Sequence, residues 1–159
     1  MKVTVRPATL DDLETLEQLY RSLQAEMDTL HAMWSLADGL NEPVARSFQE
    51  LIDDPDAMVL IGEIEDVPFG FLVAKVEPLL AQAEGEKLGS IRLIFVEPEA
   101  REVALGETMR DAVLEELRSR GITKFDAHVL PGHRLAKNFF EAGGFSARSI
   151  VMHHDDNRE

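Results

Sequence analysis

The chain of 159 residues has no cysteine, which excludes a disulfide framework, a thiol nucleophile and a thiolate metal site. It has one tryptophan, Trp34, and one tyrosine, Tyr20, so phenolic proton donors are scarce. No apolar run approaches the roughly 20 residues that a bilayer-spanning helix needs. The opening MKVTVRPATLDD carries no apolar stretch of signal-peptide type, and the cytoplasm is the expected compartment. Positive charge is in short supply: 16 Lys and Arg face 30 Asp and Glu, a formal charge of −14. Nucleic acid needs a basic surface and is not an expected partner, and neither is a membrane. Such a surface serves solubility, or it attracts cationic amines; net charge alone does not choose between them.

What is present suffices for one globular domain spanning 1–159, since 45% of the residues are apolar. Lys2 to Arg6 alternates as an edge strand does, and Pro7 closes it. Thr9 and Asp12 have capping-box spacing, ahead of a helix whose inner face is Leu13, Leu16, Tyr20, Leu23, Met27 and Leu30. Glu42-Pro43 opens a second helix with Val44, Phe48, Leu51 and Ile52 inward. Met58 to Ile64 and Phe69 to Val76 read as a hairpin joined by Glu65-Asp66-Val67-Pro68. Lys124 to Leu130 reads as a strand, Arg134 to Ala142 as a short helix, and Ser146 to Met152 as a last strand. The polar tail 153–159 is expected to fray, and its His153-His154-Asp155-Asp156 run is no metal site, because adjacent tail residues rarely converge on one ion. The expected order is β-α-α-β-β-β-α-β-α-β, an α/β domain built on one mixed sheet.

The stretch from Ser90 to Arg120 carries the chemistry. Ile91 to Val96 is a strand that Pro98 ends, and Leu105, Met109, Ala112, Val113 and Leu117 have helical spacing up to Gly121. A strand turning tightly into a helix exposes free backbone N–H groups at a positive dipole end, a natural anion site. Val96, Pro98, Arg101 and Gly106 fall in the pattern V-x-P-x-x-R-x-x-G-x-G/A, with Ala104 in place of a glycine. This segment resembles the acyl-CoA signature of the GCN5-related N-acetyltransferase (GNAT) superfamily. The block Asn138 to Phe145, NFFEAGGF, resembles that family's closing helix and Gly-Phe turn.

The resemblance implies an acetyl-CoA-dependent N-acetyltransferase without a metal, acting on a small-molecule or protein amine, with a homodimer possible. It implies that the amides of Val103, Ala104, Leu105, Gly106 and Glu107 hold the pyrophosphate, with Arg101 offsetting the carboxylate of Glu102. It places a bulge near Phe95-Val96 whose free N–H, assigned to Val96, faces the thioester oxygen. Asn138, Phe140 and His133 line the pantetheine arm by the same resemblance, which puts asparagine where His133 stands. Relatives often carry a proton-donating tyrosine at one of the positions that Phe139 and Phe140 occupy here. That absence keeps a catalytically degenerate acyl-CoA-binding domain open as the alternative. His128, at a strand end, is the candidate base, and Glu97 is the second. Arg92 suits an acceptor carboxylate or phosphate, or else pairs with one of the many acids. Trp34 walls the acceptor pocket or covers the core.

Overall fold

The computed structural model describes residues 1–29, 39–79, 85–129, 134–152 and 154–157. Five strands, β1 (Val3–Pro7), β2 (Ala57–Ile64), β3 (Val67–Pro78), β4 (Lys87–Val96) and β5 (Phe125–Ala127), form one sheet in the order of the chain. The first four are antiparallel neighbours, and β5 joins β4 in parallel. Helices α1 (Leu13–Asp28) and α2 (Val44–Asp53) cover one face, while α3 (Leu105–Ser119) covers the other and α4 (Arg134–Ala142) packs beside it.

Local chemistry explains most of these elements. Thr9 accepts from the Asp11 amide and Asp12 returns a bond to the Thr9 amide at 2.7 Å, so the capping box starts a 3-10 turn that runs into α1. Arg6 grips the same carboxylate through two bonds of 2.8 Å. The apolar stripe of α1 then buries Leu16, Tyr20, Leu23 and Met27 against Phe48 of α2 and against Phe71, Val73, Leu93 and Phe95 of the sheet. Phe48 sits edge-on to Tyr20 and Phe71, with ring centroids 6.1 and 5.7 Å away. Burying each such side chain contributes about 1.5–3 kcal/mol. On the opposite face α3 lies close to the sheet because Gly62 and Gly89 carry no side chain. A Cβ would meet Leu105 and Met109 at 2.9 Å from the first, and Leu117 at 2.4 Å from the second.

Three sequence expectations change. The hairpin turn is only Glu65-Asp66, both at positive φ, and Pro68 belongs to β3, opposite Glu63 where the register shifts. An irregularity there spares the amide that proline lacks. The bulge in β4 lies at Arg92, not near Phe95-Val96: Ala74 pairs with Ile91 and Val73 with Leu93, leaving Arg92 without an opposite residue. The last strand, expected over Ser146 to Met152, is absent from the described sheet. Residues 146–152 are exposed, Ile150, Val151 and Met152 by 74–86%. Strand propensity needs a ladder, and β5 pairs over only three residues, on its β4 side.

Candidate active site: a forked sheet and a helix start

The β4–β5 ladder runs Gly89–Phe125, Ser90–Asp126, Ile91–Ala127 and closes with the His128 amide on the Ile91 carbonyl at 3.1 Å. Beyond that bond β4 continues to Val96. The bulge sets which way its backbone faces. The Glu97 amide bonds the Phe69 carbonyl at 2.8 Å, so by antiparallel alternation Phe95 also faces β3. The N–H and C=O groups of Ile94 and Val96 therefore point away from β3, toward the side where the ladder has ended. Uninterrupted alternation from the sequence puts Ile94 on one face with Ser90 and Arg92; the bulge at Arg92 breaks that alternation and turns Ile94 to the other face, and the shift is a property of pairing.

Just past Val96 a 3-10 turn, Pro98–Val103, carries the chain into Ala104, which adopts the left-handed conformation (φ 60°, ψ 22°) as the residue before α3. No side chain caps α3 at this end. The first amide satisfied within the helix is that of Thr108, bonded to the Ala104 carbonyl at 3.0 Å, and the Thr108 hydroxyl bonds the same oxygen. The amides of Leu105, Gly106 and Glu107 precede it and have no intrahelical acceptor. They lie at the positive end of a 15-residue helix, the arrangement that receives phosphates. Gly106 keeps the approach open: a Cβ there would stand 3.3 Å from the Phe139 ring and 3.6 Å from Val96 Cγ2. A diphosphate-bearing ligand fits such a turn, because backbone donors need no particular side chain.

Side chains around the turn are engaged as follows. Arg101 donates from Nε to the Val96 carbonyl at 2.9 Å and from Nη2 to Glu26 of α1 at 2.6 Å, with its guanidinium 5.7 Å from the Phe95 ring centre. Glu102 and Glu107 are exposed. Phe140 is buried among the residues under α3, while Asn138 is exposed and Phe139 half-buried. Arg110, one helical turn beyond Gly106, escaped the sequence reading. It stacks on Phe139 at 4.8 Å and donates to the Phe139 carbonyl at 3.0 Å, fastening α4 to α3. Its i+4 spacing from Gly106 was the available signal.

Across the sheet, Ser90, Asp126 and His128 stand on the α1–α2 side by alternation, together with Arg92; Ile94 packs on the other side with α3. The Asp126 carboxyl is held below its usual range, chiefly by the hydrogen bond from Arg148 (Nε to Oδ1, 2.8 Å), with burial opposing and the charges of Arg148, His128 and Arg92 assisting. Arg92 forms an ion pair with Glu77. The two line a cavity of about 260 Å³ with Leu40, Leu51, Val73, Lys75 and Leu93, between α2 with the residue Leu40 ahead of it and strands β3 and β4. His128 is exposed, and Glu97 is half-exposed at the end of β4. Trp34 and His133 lie outside the described residues. Among the described residues no group of three or more His, Asp or Glu could hold a metal ion, and no helix is long and apolar enough to cross a membrane.

A mixed sheet whose parallel ladder ends at Ile91 and His128 while β4 runs on to Val96, with an uncapped helix start just beyond, is the class of α/β domain whose geometry can receive a phosphate-bearing ligand. Comparison with known proteins gives it a family. The pattern described as "Acetyltransferase (GNAT) family" matches residues 15–145, and the chain belongs to that family. A mycothiol acetyltransferase from Thermobispora bispora is 33% identical over 119 residues, 74% of this chain; the match spans 37% of that relative's length. Among solved structures, the aminoglycoside 6′-N-acetyltransferase AAC(6′)-Ih from Acinetobacter baumannii superposes with a TM-score of 0.77 at 14% identity, covering 99% of this chain and 100% of that one. AAC(6′)-Iy in complex with a bisubstrate analogue, CoA-S-monomethyl-acetylneamine, gives 0.78 at 15% identity, covering 99% and 100%. At such identities the likeness is one of fold.

Proposed function

We propose that this chain is an acetyl-CoA-dependent N-acetyltransferase in which a primary amine attacks the acetyl thioester directly in a ternary complex. One observation carries the reading: the left-handed turn at Ala104 leaves the amides of Leu105, Gly106 and Glu107 bare, beside the fork between β4 and β5. Those amides hold the pyrophosphate, with Val103 and Ala104 at the lip of the turn. Acetyl-CoA, when bound, supplies an activated acyl carbon. The chain's own contribution is positional and electrostatic. The Ile94 N–H and carbonyl and the Val96 N–H face the side where the ladder has ended and are open to an extended arm, the Val96 carbonyl being held by Arg101 Nε, and the Val96 N–H donates to the thioester carbonyl oxygen as charge gathers on it. A single such donor is worth about 3 kcal/mol. Asn138, exposed on α4, flanks the arm, and Phe140 anchors that helix in the core.

The amine enters from the opposite face, through the cavity bounded by Arg92, Lys75 and Glu77. His128 stands on that face at the fork and takes the amine's proton, directly or through water; Glu97 is the second candidate. A second reading has its own support. Phe139 and Phe140 stand where relatives often carry the tyrosine, and the one tyrosine, Tyr20, is buried on the α1–α2 side of the sheet, where its hydroxyl accepts from the Leu40 amide at 2.8 Å. A chain that binds acetyl-CoA without turning it over fits those facts. A thiol leaving group with a pKa near 8.5 departs tolerably without an acid, which favours the active enzyme. Calorimetry with acetyl-CoA followed by thiol release across a panel of amines decides. Binding with release supports the enzyme, binding without release supports the degenerate domain, and no binding overturns both.

A further inference from the structure

The motif arginine points away from the role its position suggests. Arg101 spends its guanidinium on three groups: the Val96 carbonyl at 2.9 Å, the Glu26 carboxylate at 2.6 Å and the Phe95 ring at 5.7 Å. Val96 and Phe95 close β4, and Glu26 lies in the last turn of α1, 75 positions earlier in the chain. The side chains of the pair are 34% and 26% exposed, so the contact is partly shielded at the surface. We infer that Arg101 is a positioning residue, not a phosphate ligand: it ties the end of β4 to α1 and so sets where the Val96 backbone stands against the incoming amine. This assignment rests on the acetyltransferase reading.

Geometry makes the claim specific to arginine. Only a planar fork can donate to Val96 from Nε and to Glu26 from Nη2 at once; an ammonium reaches one of them. A phosphate contact differs, because lysine serves phosphate well as a point charge. Arg101→Lys therefore separates the two roles, and Glu26→Gln tests the same tie from its other end without touching the turn. The chemistry at the thioester depends on sub-ångström placement, so a loosened β4 end lowers turnover more than binding.

The experiment measures acetyl-CoA affinity by calorimetry for wild type, Arg101→Lys, Arg101→Ala and Glu26→Gln. It also measures kcat and both KM values with the panel amine that wild type acetylates. The expected result is a fall in kcat of about tenfold or more in both Arg101 variants, smaller in Glu26→Gln, with acetyl-CoA affinity within about twofold of wild type throughout. In urea unfolding without ligand, Arg101→Lys and Glu26→Gln combined should be no worse than the more harmful single change, since both cut one tie. Overturning results are a tenfold loss of acetyl-CoA affinity in Arg101→Ala that Arg101→Lys restores, or additive effects of the 26 and 101 changes on unfolding. A wild type that binds no acetyl-CoA fails the functional reading itself, and the unfolding cycle still decides whether the tie exists.

Discussion

Ala104 offers the sharpest test of the turn, because its backbone is where glycine would be expected and its conformation is costly. At φ 60° and ψ 22° an alanine Cβ crowds the following carbonyl, a penalty of about 1–2 kcal/mol that glycine escapes. Glycine also adds freedom to the unfolded chain, which returns about 0.4–1 kcal/mol of the gain. Ala104→Gly should therefore stabilise the protein by about 0.5–1 kcal/mol. For a domain of this size each kcal/mol moves the melting point by about 2–4 °C, so a rise of about 1–4 °C is expected in calorimetry or circular dichroism without ligand. Ala104→Val is the control: a β-branched side chain fits the left-handed region worse than alanine and should melt lower. If Ala104→Gly melts below wild type, Ala104 does not take the left-handed turn. The amides of Leu105, Gly106 and Glu107 are then not presented to a phosphate in this way.

Three further outcomes are expected. Gly106→Val places a branched side chain against the Phe139 ring, and should weaken acetyl-CoA binding at least tenfold by calorimetry while the far-ultraviolet circular dichroism stays that of wild type. His128→Ala should lower kcat, by up to the ~10²-fold at the lower end of acid–base contributions, and leave acetyl-CoA affinity unchanged; unaltered turnover would remove His128 as the base. The Asp12 carboxyl is lowered to about 2, first by its hydrogen bonds from Arg6, with burial opposing and Thr9 assisting. Because its folded pKa lies below the unfolded one, the stabilisation is full above about pH 4 and is lost as pH falls toward 2. Asp12→Asn should cost about 2 kcal/mol in urea unfolding at pH 7 and flatten the acid limb of the stability profile over that window. Equal acid sensitivity in the variant would refute the pairing.

Where the physics is local, the sequence announced the structure. Thr9 and Asp12 meet across three positions, the stripe of α1 repeats every helical turn, and Val96 to Gly106 compresses strand end, turn and helix start into eleven residues. Where a feature depends on a distant partner, it stayed hidden. The bulge at Arg92 exists only relative to Val73 and Ala74, so neither its position nor the exposure of the Ile94 backbone could be read from β4 alone. Glu26 became a partner of Arg101 only once α1 lay across the end of the sheet. Arg92 found Glu77 on the neighbouring strand, the pairing that an acidic chain made available. Ile150 and Val151 favour strand, yet propensity cannot supply the ladder that would hold them. The Glu65-Asp66 turn took positive φ in two residues without glycine, which hid the two-residue loop and drew Pro68 into β3.

Three backbone amides form the proposed phosphate site, and they can be watched individually. In a ¹⁵N–¹H correlation spectrum titrated with acetyl-CoA, the amide resonances of Leu105, Gly106 and Glu107 should move the most. Coenzyme A should reproduce those shifts, whereas an acetylated pantetheine lacking the diphosphate should not. Saturable binding of acetyl-CoA that leaves these three resonances in place would contradict the proposed site.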